Sequence, residues 1–331
     1  MKILLVTDTW DNVNGVATTL KNTVNVLKSW KHDVFVIEPS QFKTIGAPGY
    51  NEVKLSWNIW KVGRIISQFN PDAIHIATEG PLGLAARWYC KVKRRSISHN
   101  TSYHTKFPEY FNQYFYIPVS IGYFIIRWFH KFSTKVLVTT ESMRKELSSK
   151  GFEKLEVWSR GVDHDIFNPM RRTSNSNPYI LCVSRVSQEK NLDKFCEIKG
   201  YRKILVGDGP YLNDLKKKYP DVEYVGYKYG KELAEYYANA ECFVFPSVTD
   251  TFGIVMLESI SCGTPIAAYP VTGPIDVIQQ LVNGYMDHDL TYAIKDCMNI
   301  DRDLVHSSSK KYTWENCTET FFNNLTRIHH E

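Results

Sequence analysis

The chain has 331 residues, of which 43% are hydrophobic and 23% are charged, a balance typical of a soluble globular protein with about two domains. The 18 glycines and 14 prolines are spread along the chain, which excludes collagen-like and low-complexity proteins. No apolar run reaches the ~20 residues of a membrane span, and the run before Asp8 is too short for a signal peptide. Seven cysteines without C-x-x-C spacing argue against a disulfide framework and a structural zinc site. We therefore expect a soluble, cytoplasmic, two-domain protein.

The apolar runs predict strands that alternate with helices. In the first half, a helix is predicted at Val16–Trp30, and strands are predicted at Lys2–Thr7, from Asp33, at Ala73–Ala77, at Ser96–Ser98 and at Lys135–Thr139. In the second half, strands are predicted at Pro178–Val183 and within RKILVGDGP, VEYVG, ECFVFPS and TPIAAYP. Each half thus consists of βαβ units that form a parallel sheet, and such sheets bind ligands at the carboxyl ends of their strands. We expect both halves to point these ends into a shared cleft.

The charge is divided unevenly between the halves. Residues 1–160 carry 22 Lys and Arg against 12 Asp and Glu, a net charge of +10, and residues 161–331 carry 18 against 23, a net charge of −5. A basic half suits a polyanionic partner such as an anionic membrane surface, a phosphorylated lipid or a nucleic acid. A cluster of solvated, lysine-rich helices would give the same imbalance.

Two loops of the first half contain candidate binding residues. The loop Thr7–Gly15 places Gly15 just before a helix, where backbone N–H groups and the helix dipole favour a phosphate. Because the loop lacks the G-x-G-x-x-G fingerprint, a plain strand-to-helix turn is the alternative. The segment HNTSYHTKFPEY contains His104, a candidate for binding a sugar hydroxyl or handling a proton, although a structural histidine would also fit.

Two segments of the second half contain charges suited to a nucleotide sugar. Arg185 and Lys190 follow the first strand, where two cations suit a diphosphate, although an exposed charged loop is the alternative. Asp250 and Glu258 lie eight positions apart, on either side of a predicted helix start around Thr251–Gly253. Two such carboxylates can accept hydrogen bonds from separate ligand hydroxyls, or can simply be solvated charges.

Seven motifs, taken in order, resemble those of one family. They are NGV at Asn14–Val16, YHTKFPEY at Tyr103–Tyr110, RGVD at Arg160–Asp163, SRVSQEK at Ser184–Lys190, GDGP at Gly207–Pro210, FPS at Phe245–Ser247 and DTFGIVMLE at Asp250–Glu258. Together they resemble retaining glycosyltransferases of the GT-B fold, family GT4, over essentially the whole chain. The resemblance implies two α/β, Rossmann-like parallel-sheet domains. These are an acceptor-binding domain at 1–158 and a nucleotide-sugar domain at 159–308, followed by a helix at 309–331 that packs back on the first domain.

The resemblance also implies roles for individual residues. The implied catalytic residues are His104, Arg185, Lys190 and Asp250, and the implied donor-binding residues are Gly15, Arg185, Lys190, Thr251, Phe252, Gly253 and Glu258. Arg185 and Lys190 match cations on the donor diphosphate, and His104 matches a histidine that contacts the donor sugar. Asp250 and Glu258 match the E-x7-E motif, which reaches the sugar and the ribose. Asp250 replaces the family's Glu and reaches one methylene less far, which bears on the sugar's identity.

The implied reaction moves a hexose (glucose, mannose or galactose) with retention from a nucleoside-diphosphate sugar to a hydroxyl of a lipid or glycan. Cations and helix N-termini can stabilise the leaving diphosphate, so we expect neither a cofactor nor a metal. The acidic triplets at Asp163–Asp165, Asp287–Asp289 and Asp301–Asp303 are predicted to be surface acids. The segments KVKRR at Lys91–Arg95 and YFIIRWFHKF at Tyr123–Phe132 suit either headgroup contact at the inner face of a membrane or, for the second, a core helix.

Two alternatives stay open at this point. The same fold could act on DNA with hydroxylated bases, because a basic half can track phosphates. The chain could also be a nucleotide-sugar epimerase or a binding protein that transfers nothing. The RGVD, YHT and E-x7-E-like elements argue against an epimerase. A silent binding protein would be expected to have lost Lys190 or Glu258, and both are present.

Overall fold

The computed structural model describes residues 1–12, 14–47, 50–92, 97–173 and 177–328, with the backbone alone for residues 47 and 50–53. These residues divide into two compact units. Unit 1 comprises Met1–Arg160 and Trp314–Glu331, and unit 2 comprises Gly161–Thr313. The divisions therefore lie at 160/161 and 313/314, where the sequence predicted 158/159 and 308/309.

Unit 1 is built around a six-stranded parallel sheet. Its strands are β1 (Lys2–Val6), β2 (Asp33–Ile37), β3 (Thr44–Ala47), β4 (Tyr50–Ser56), β5 (Ala73–Ile76), β6 (Asn100–Tyr103), β7 (Val136–Val138) and β8 (Leu155–Val157). Its first helices are α1 (Gly15–Ser29), α2 (Val62–Phe69), α3 (Pro81–Val92), α4 (Phe107–Phe115), α5 (Val119–His130) and α6 (Glu141–Ser149). The sheet order is β2-β1-β5-β6-β7-β8, and β3 and β4 form a separate antiparallel pair.

Unit 2 repeats the arrangement. Its strands are β9 (Ile180–Val183), β10 (Lys203–Val206), β11 (Glu223–Tyr224), β12 (Cys242–Phe245), β13 (Ile266–Ala268) and β14 (Gly284–Met286). Its helices are α7 (Leu192–Cys196), α8 (Leu212–Lys218), α9 (Gly230–Asn239), α10 (Ile254–Ser261), α11 (Pro274–Val277), α12 (Leu290–Cys297) and α13 (Arg302–Ser309). All strand pairs are parallel, in the order β11-β10-β9-β12-β13-β14. The predicted parallel α/β architecture is confirmed in both units.

The last helix, α14 (Trp314–Asn324), is part of unit 1. It packs against α1, and the indole Nε1 of Trp158 donates a hydrogen bond to the Cys317 carbonyl at 3.1 Å. The ring of Phe321 lies 4.8 Å from that of Trp158, centroid to centroid, and both side chains are fully buried. Removal of α14 would therefore expose a tryptophan and open the core of unit 1.

The predicted strand at Ser96–Ser98 is wrong within its described part, since Ile97 and Ser98 are not in a strand and Ser96 lies outside the described residues. The strand is β6, which carries the polar residues Asn100, Thr101 and Ser102 at full burial. The search for apolar runs missed β6 because hydrogen bonds, rather than apolar side chains, make its burial favourable.

Burial of continuous apolar runs explains the remaining central strands. β1, β5, β9, β10 and β12 have few exposed side chains, as expected of parallel strands covered on both faces. In the described part of the chain, no helix is long and apolar enough to cross a membrane.

Candidate functional site

Unit 2 gathers its candidate residues where β9 and β12 lie side by side. The sheet order reverses between these strands, and open parallel sheets bind ligands at such a point. One loop, 184–191, leaves the carboxyl end of β9, and a second loop, 246–253, leaves the carboxyl end of β12. Arg185 and Lys190 lie on the first loop and Asp250 on the second, so three predicted residues meet at one edge of the sheet.

Three side-chain contacts join these two loops. The Nζ of Lys190 lies 2.5 Å from Oδ1 of Asp250, and each side chain is less than one-fifth exposed. The amide of Asn191 donates to the Pro246 carbonyl at 3.1 Å, and the Thr249 hydroxyl donates to the Glu189 carbonyl at 3.2 Å. The predicted diphosphate-binding cation and the predicted sugar-binding carboxylate are therefore bound to each other.

The GDGP segment packs against the backbone of the loop that carries Arg185. Gly207 has φ +134°, and a Cβ on it would lie 1.9 Å from the Ser184 carbonyl oxygen. The N–H of Val186 donates to the Asp208 carbonyl at 2.9 Å, so the two backbones lie against each other. GDGP is the predicted tight turn, and its first glycine is required because backbone occupies the space of a side chain.

The 246–253 loop ends at a left-handed glycine that begins α10. Gly253 has φ +88°, and a Cβ there would lie 2.8 Å from the Phe245 ring. Thr251 and Phe252, which precede it, are buried. The helix therefore starts where the sequence predicted, with its first N–H groups directly after the loop that carries Asp250.

Glu258 lies in the second turn of α10 and binds a residue that the sequence did not single out. The hydroxyl of Tyr237, on α9, donates to Glu258 Oε2 at 2.9 Å. Some of the Glu258 side chain is exposed, yet protein surrounds the carboxyl, and this burial raises its pKa to about 7. Tyr237 is fully buried and fixes one carboxylate oxygen, which leaves Oε1 to accept a hydrogen bond from a ligand hydroxyl.

The guanidinium of Arg185, a predicted diphosphate-binding group, is partly buried. Its Nε and Nη2 atoms are buried, although the residue as a whole is partly exposed. The Ser184 hydroxyl donates to the Arg185 carbonyl at 2.9 Å, which fixes the loop backbone at this residue. Arg185 therefore lies on a loop of fixed backbone at the carboxyl end of β9.

Gly15 lies in unit 1, at the carboxyl end of β1. It is the exposed first residue of α1, and Asn14 Oδ1 accepts a hydrogen bond from the Ala17 N–H at 2.8 Å. Asn14 therefore caps one of the N–H groups that the sequence assigned to a phosphate. Val13, in the same loop, lies outside the described residues.

Asp8 in this loop is a structural residue that the sequence analysis did not single out. Its carboxylate accepts hydrogen bonds from the Leu82 N–H and the Thr78 hydroxyl, both at 2.8 Å. A Cβ on Gly80 would lie 2.5 Å from the Asp8 carboxyl carbon, which explains the glycine. Burial raises the pKa of Asp8 although these hydrogen bonds act against it. Asp8 thus ties the loop after β1 to the start of α3.

His104 follows β6 and has both ring nitrogens engaged within unit 1. Its Nδ1 accepts from Nη2 of Arg160 at 2.8 Å, so the neutral ring carries its proton on Nε2, which lies 2.8 Å from the Ser102 hydroxyl. Burial and the adjacent Arg160 hold the pKa of His104 well below its usual range. Arg160 in turn donates to the Trp158 carbonyl at 2.7 Å. The RGVD arginine therefore orients the YHT histidine, 56 residues away.

The same interior holds three more histidines. His75 Nε2 lies 3.1 Å from the Ser102 hydroxyl, and burial lowers the pKa of His75 to about 3. His99 Nδ1 lies 3.0 Å from the Ile97 carbonyl, and burial also lowers its pKa. His130 Nδ1 lies 2.8 Å from the Thr101 hydroxyl. Hydroxyl groups of β6 thus bind one ring nitrogen each of His75 and His130, whereas His75 Nδ1 and His99 Nε2 are buried without a hydrogen-bond partner among the described residues.

The acidic triplets form turns rather than a cluster. In each, the first aspartate accepts a hydrogen bond from the N–H of the third residue; these first residues are Asp163, Asp287 and Asp301. In the described ranges, no three His, Cys, Asp or Glu side chains come close enough to form a metal site. Seven buried, free cysteines complete the inventory of reactive groups.

Comparison with known proteins gives the context for this geometry. Residues 13–166 match the model for Glycosyltransferase Family 4, and residues 177–298 match that for Glycosyl transferases group 1. A sulfoquinovosyl transferase of Arabidopsis thaliana is 30% identical over 92% of this chain and 69% of its own. An α-monoglucosyldiacylglycerol synthase of Streptococcus pneumoniae is 26% identical over 97% of this chain and 83% of its own.

A solved structure confirms the predicted GT-B fold. The Anabaena protein HepE, in complex with UDP and glucose, matches with a TM-score of 0.71 at 16% identity. The match covers 98% of each chain, so both units take part in it.

We predict that unit 1 loses stability in acid because of its neutral histidines. His75 stays unprotonated down to about pH 3 when folded but takes up a proton near pH 6.5 when unfolded. The free energy of unfolding should therefore be highest above pH 6.5 and should fall by about 1.4 kcal/mol per pH unit for this residue as the pH drops toward 3. His75→Gln should reduce the measured slope by that amount.

All eight tryptophans lie in unit 1, so urea unfolding followed by tryptophan fluorescence reports on this unit. His288→Gln, which alters an exposed histidine of unit 2, is the matched control and should leave the slope unchanged. Equal slopes for His75→Gln and the unmodified protein would show that His75 is not the group responsible.

Proposed function

The chain belongs to glycosyltransferase family 4, and we propose that it transfers a hexose with retention from a nucleoside-diphosphate sugar to a hydroxyl of a lipid. It is a glycosyltransferase that acts on nucleotide sugars, which removes the alternative of an epimerase or silent binding protein. The identity of the hexose, the retention of configuration and the acceptor are the parts that we propose. The Lys190–Asp250 pair at the reversal point of the unit 2 sheet carries the proposal for the donor site.

This pair offers complementary groups to the two parts of a donor. A diphosphate would take Lys190 as its cation, and sugar hydroxyls would donate to the released carboxylate of Asp250. Arg185 and the first N–H groups of α10 add positive potential at the same edge of the sheet. Glu258, held by Tyr237, would accept from the ribose hydroxyls. Donor binding thus exchanges one internal ion pair for two contacts with the ligand.

The proposed chemistry uses these charges on the leaving group. The bond from the anomeric carbon to the diphosphate oxygen breaks as the acceptor oxygen bonds to the same face of that carbon, which retains configuration. The acceptor proton goes to a phosphate oxygen of the departing diphosphate. Lys190 and Arg185 stabilise the negative charge that develops there, an effect worth several kcal/mol in a site of low dielectric. We propose that no metal is needed.

His104 is assigned no proton transfer in this scheme. Its lowered pKa and its bonds to Arg160 and Ser102 keep it a neutral, oriented side chain. The contact with the donor sugar that the family resemblance implies for His104 stays a prediction, as does the phosphate-facing role of Gly15.

A lipid acceptor is supported by two observations. One relative is an α-monoglucosyldiacylglycerol synthase, whose name states a lipid product. The first 160 residues, which form most of unit 1, carry a net charge of +10, which favours an anionic surface. We therefore propose that the protein works at the inner face of a membrane. A glycan acceptor and DNA with hydroxylated bases serve as the contrasting substrates in a transfer assay.

The donor site is tested by separating the two members of the ion pair. Calorimetric titration with UDP, GDP, ADP, CDP and dTDP first identifies the preferred base. Lys190→Ala should weaken binding of that diphosphate at least ~10-fold and lower turnover at least ~100-fold. Asp250→Asn should bind the diphosphate as well as or better than the unmodified protein, because Lys190 is no longer neutralised, and should still lose turnover.

Lys217→Ala, which removes an exposed cation of α8, is the matched control for charge in unit 2. An Asp250→Asn protein that loses diphosphate affinity as severely as Lys190→Ala would show that the pair only stabilises the fold. Loss of binding or transfer with EDTA would contradict metal independence, and an inverted anomeric product would contradict retention. Transfer to a glycan or to DNA but not to a diacylglycerol lipid would move the acceptor to that class.

Glu258 should give donor binding a distinctive pH dependence. Because burial raises its pKa to about 7, the carboxylate that accepts ribose hydroxyls is present above that pH and is lost below it. Diphosphate affinity should rise up to about tenfold from about pH 6 to about pH 8 beyond the titration of the nucleotide itself. Glu258→Gln should show only the dependence due to the nucleotide, and a 2′,3′-dideoxynucleotide should abolish the difference between the two proteins. Identical pH profiles for the ribonucleotide would exclude this role for Glu258.

A further inference from the structure

Helix α5 is apolar on both faces although one of them lies at the surface. Tyr123, Ile126 and Phe129 on its inner face are buried in unit 1. Its outer face carries Phe124, which is 63% exposed, and Trp128, which is 47% exposed. A helix that is hydrophobic all round is normally covered on every side, by protein or by lipid. The sequence allowed this segment to be either a core helix or a surface for lipid headgroups. In the structure, one face of α5 lies in the core and the other is exposed.

The outer face of α5 continues onto α3. We define the α3–α5 face by the exposed residues Leu84, Trp88, Ile121, Phe124, Ile125 and Trp128. The four from α5 follow the spacing i, i+3, i+4, i+7 of a single helical stripe. Arg87 joins the helices, since its Nη2 donates to the Trp128 carbonyl at 2.8 Å and its guanidinium lies 3.9 Å from the Trp128 ring centre. Arg87 thus holds Trp128 of α5 against α3, the helix that carries Trp88.

The charged residues of the two helices themselves have one sign. Neither α3 nor α5 contains an Asp or Glu, whereas Arg87, Lys91 and Arg127 lie on them. The Lys91 ammonium lies 3.9 Å from the centre of the Phe132 ring at the end of α5. The segment KVKRR continues from α3, but residues 93–95 lie outside the described residues. Exposed aromatic rings among cations are typical of interfacial helices that bind anionic lipids.

A basic pocket opens beside the same stripe. It has a volume of about 350 Å³, and its walls include Phe124 and Trp128 together with the exposed cations Arg127, Lys131 and Lys154. Arg127 is held in place, because its Nη1 donates to the Lys150 carbonyl at 2.9 Å. Glu153 also lines the pocket, so its charged side chains comprise three cations and one carboxylate. Such a pocket suits a phosphodiester whose acyl chains leave along the aromatic stripe.

We propose that the α3–α5 face docks on an anionic lipid bilayer and that the adjacent pocket takes the phosphate of a lipid headgroup. A second copy of the chain fits the face less well, since two such faces with their pockets would bring together more cations than carboxylates. The functional meaning of this docking rests on the proposed transfer to a lipid acceptor. The docking itself is independent of that proposal, because it is measured without any donor.

The test is sedimentation of the full-length protein with vesicles of phosphatidylcholine alone or mixed equally with phosphatidylglycerol. The protein should bind the mixed vesicles and bind the neutral ones far more weakly. Phe124→Gln combined with Trp128→Gln should lower binding at least ~10-fold, because the apolar insertion is lost. Arg127→Gln, Lys131→Gln and Lys154→Gln should each lower binding to the mixed vesicles roughly fivefold.

Two controls match these changes in unit 2. Tyr292→Gln removes an exposed aromatic side chain, and Lys217→Gln removes an exposed cation; neither should change vesicle binding. Diphosphate titration of every variant checks that the donor site is intact, so a failure of docking is distinguished from a failure of the proposed function. Vesicle binding with no transfer activity would count against the transferase proposal alone.

Four results with vesicles or with the protein alone would overturn the docking proposal. They are no binding to mixed vesicles, equal binding to neutral and mixed vesicles, binding that the five substitutions leave unchanged, and a concentration-dependent dimer that Phe124→Gln dissociates. Saturation of the pocket by soluble glycerophosphoglycerol, unaffected by Phe124→Gln with Trp128→Gln, would assign the pocket to a free phosphodiester and would also overturn it.

Discussion

The ion pair between Lys190 and Asp250 is the interaction on which the unit 2 site depends. It joins the loops that leave β9 and β12, and the backbone contacts of Asn191 and Thr249 support it. A pair with so little exposure contributes little net stability, because both charges are desolvated. The pair lies at the reversal point of the sheet. There we propose that the cation binds the diphosphate of a donor and that the carboxylate accepts hydrogen bonds from its sugar hydroxyls.

Unit 1 has the same sheet architecture but differs in its interior and in its surface. Its interior is polar around β6, where the Ser102 and Thr101 hydroxyls bind ring nitrogens of three buried histidines. Burial keeps His75 and His104 uncharged, whereas Arg160 keeps its charge although burial lowers its pKa to about 10. The cation determines the tautomer of His104. The outer surface of the same unit is apolar and basic along α3 and α5. Unit 1 therefore combines a polar interior with an exposed apolar face, to which we assign lipid in our docking proposal.

The sequence predicted what depends on apolar runs and short motifs. Buried strands such as β1 and β9, the start of α10 at Ile254 and the GDGP turn follow from local residue patterns. It missed β6 because its buried residues are polar, and it could not predict pairs that only the fold brings together. Arg160 and His104 lie 56 residues apart, and Tyr237 and Glu258 lie 21 apart on different helices. The sequence did show that charged residues follow strands. This position located the candidate site but did not identify the side chains that contact those residues.

Hydrogen–deuterium exchange with and without the preferred nucleoside diphosphate tests the central claim most directly. If the donor binds where the loops after β9 and β12 are joined, exchange should slow in residues 184–191 and 246–258. The amides of α3 and α5, which the account assigns to lipid rather than donor, should exchange at the same rate in both samples. Protection confined to other parts of unit 2, or to unit 1, would contradict the assignment of the donor site to the Lys190–Asp250 pair.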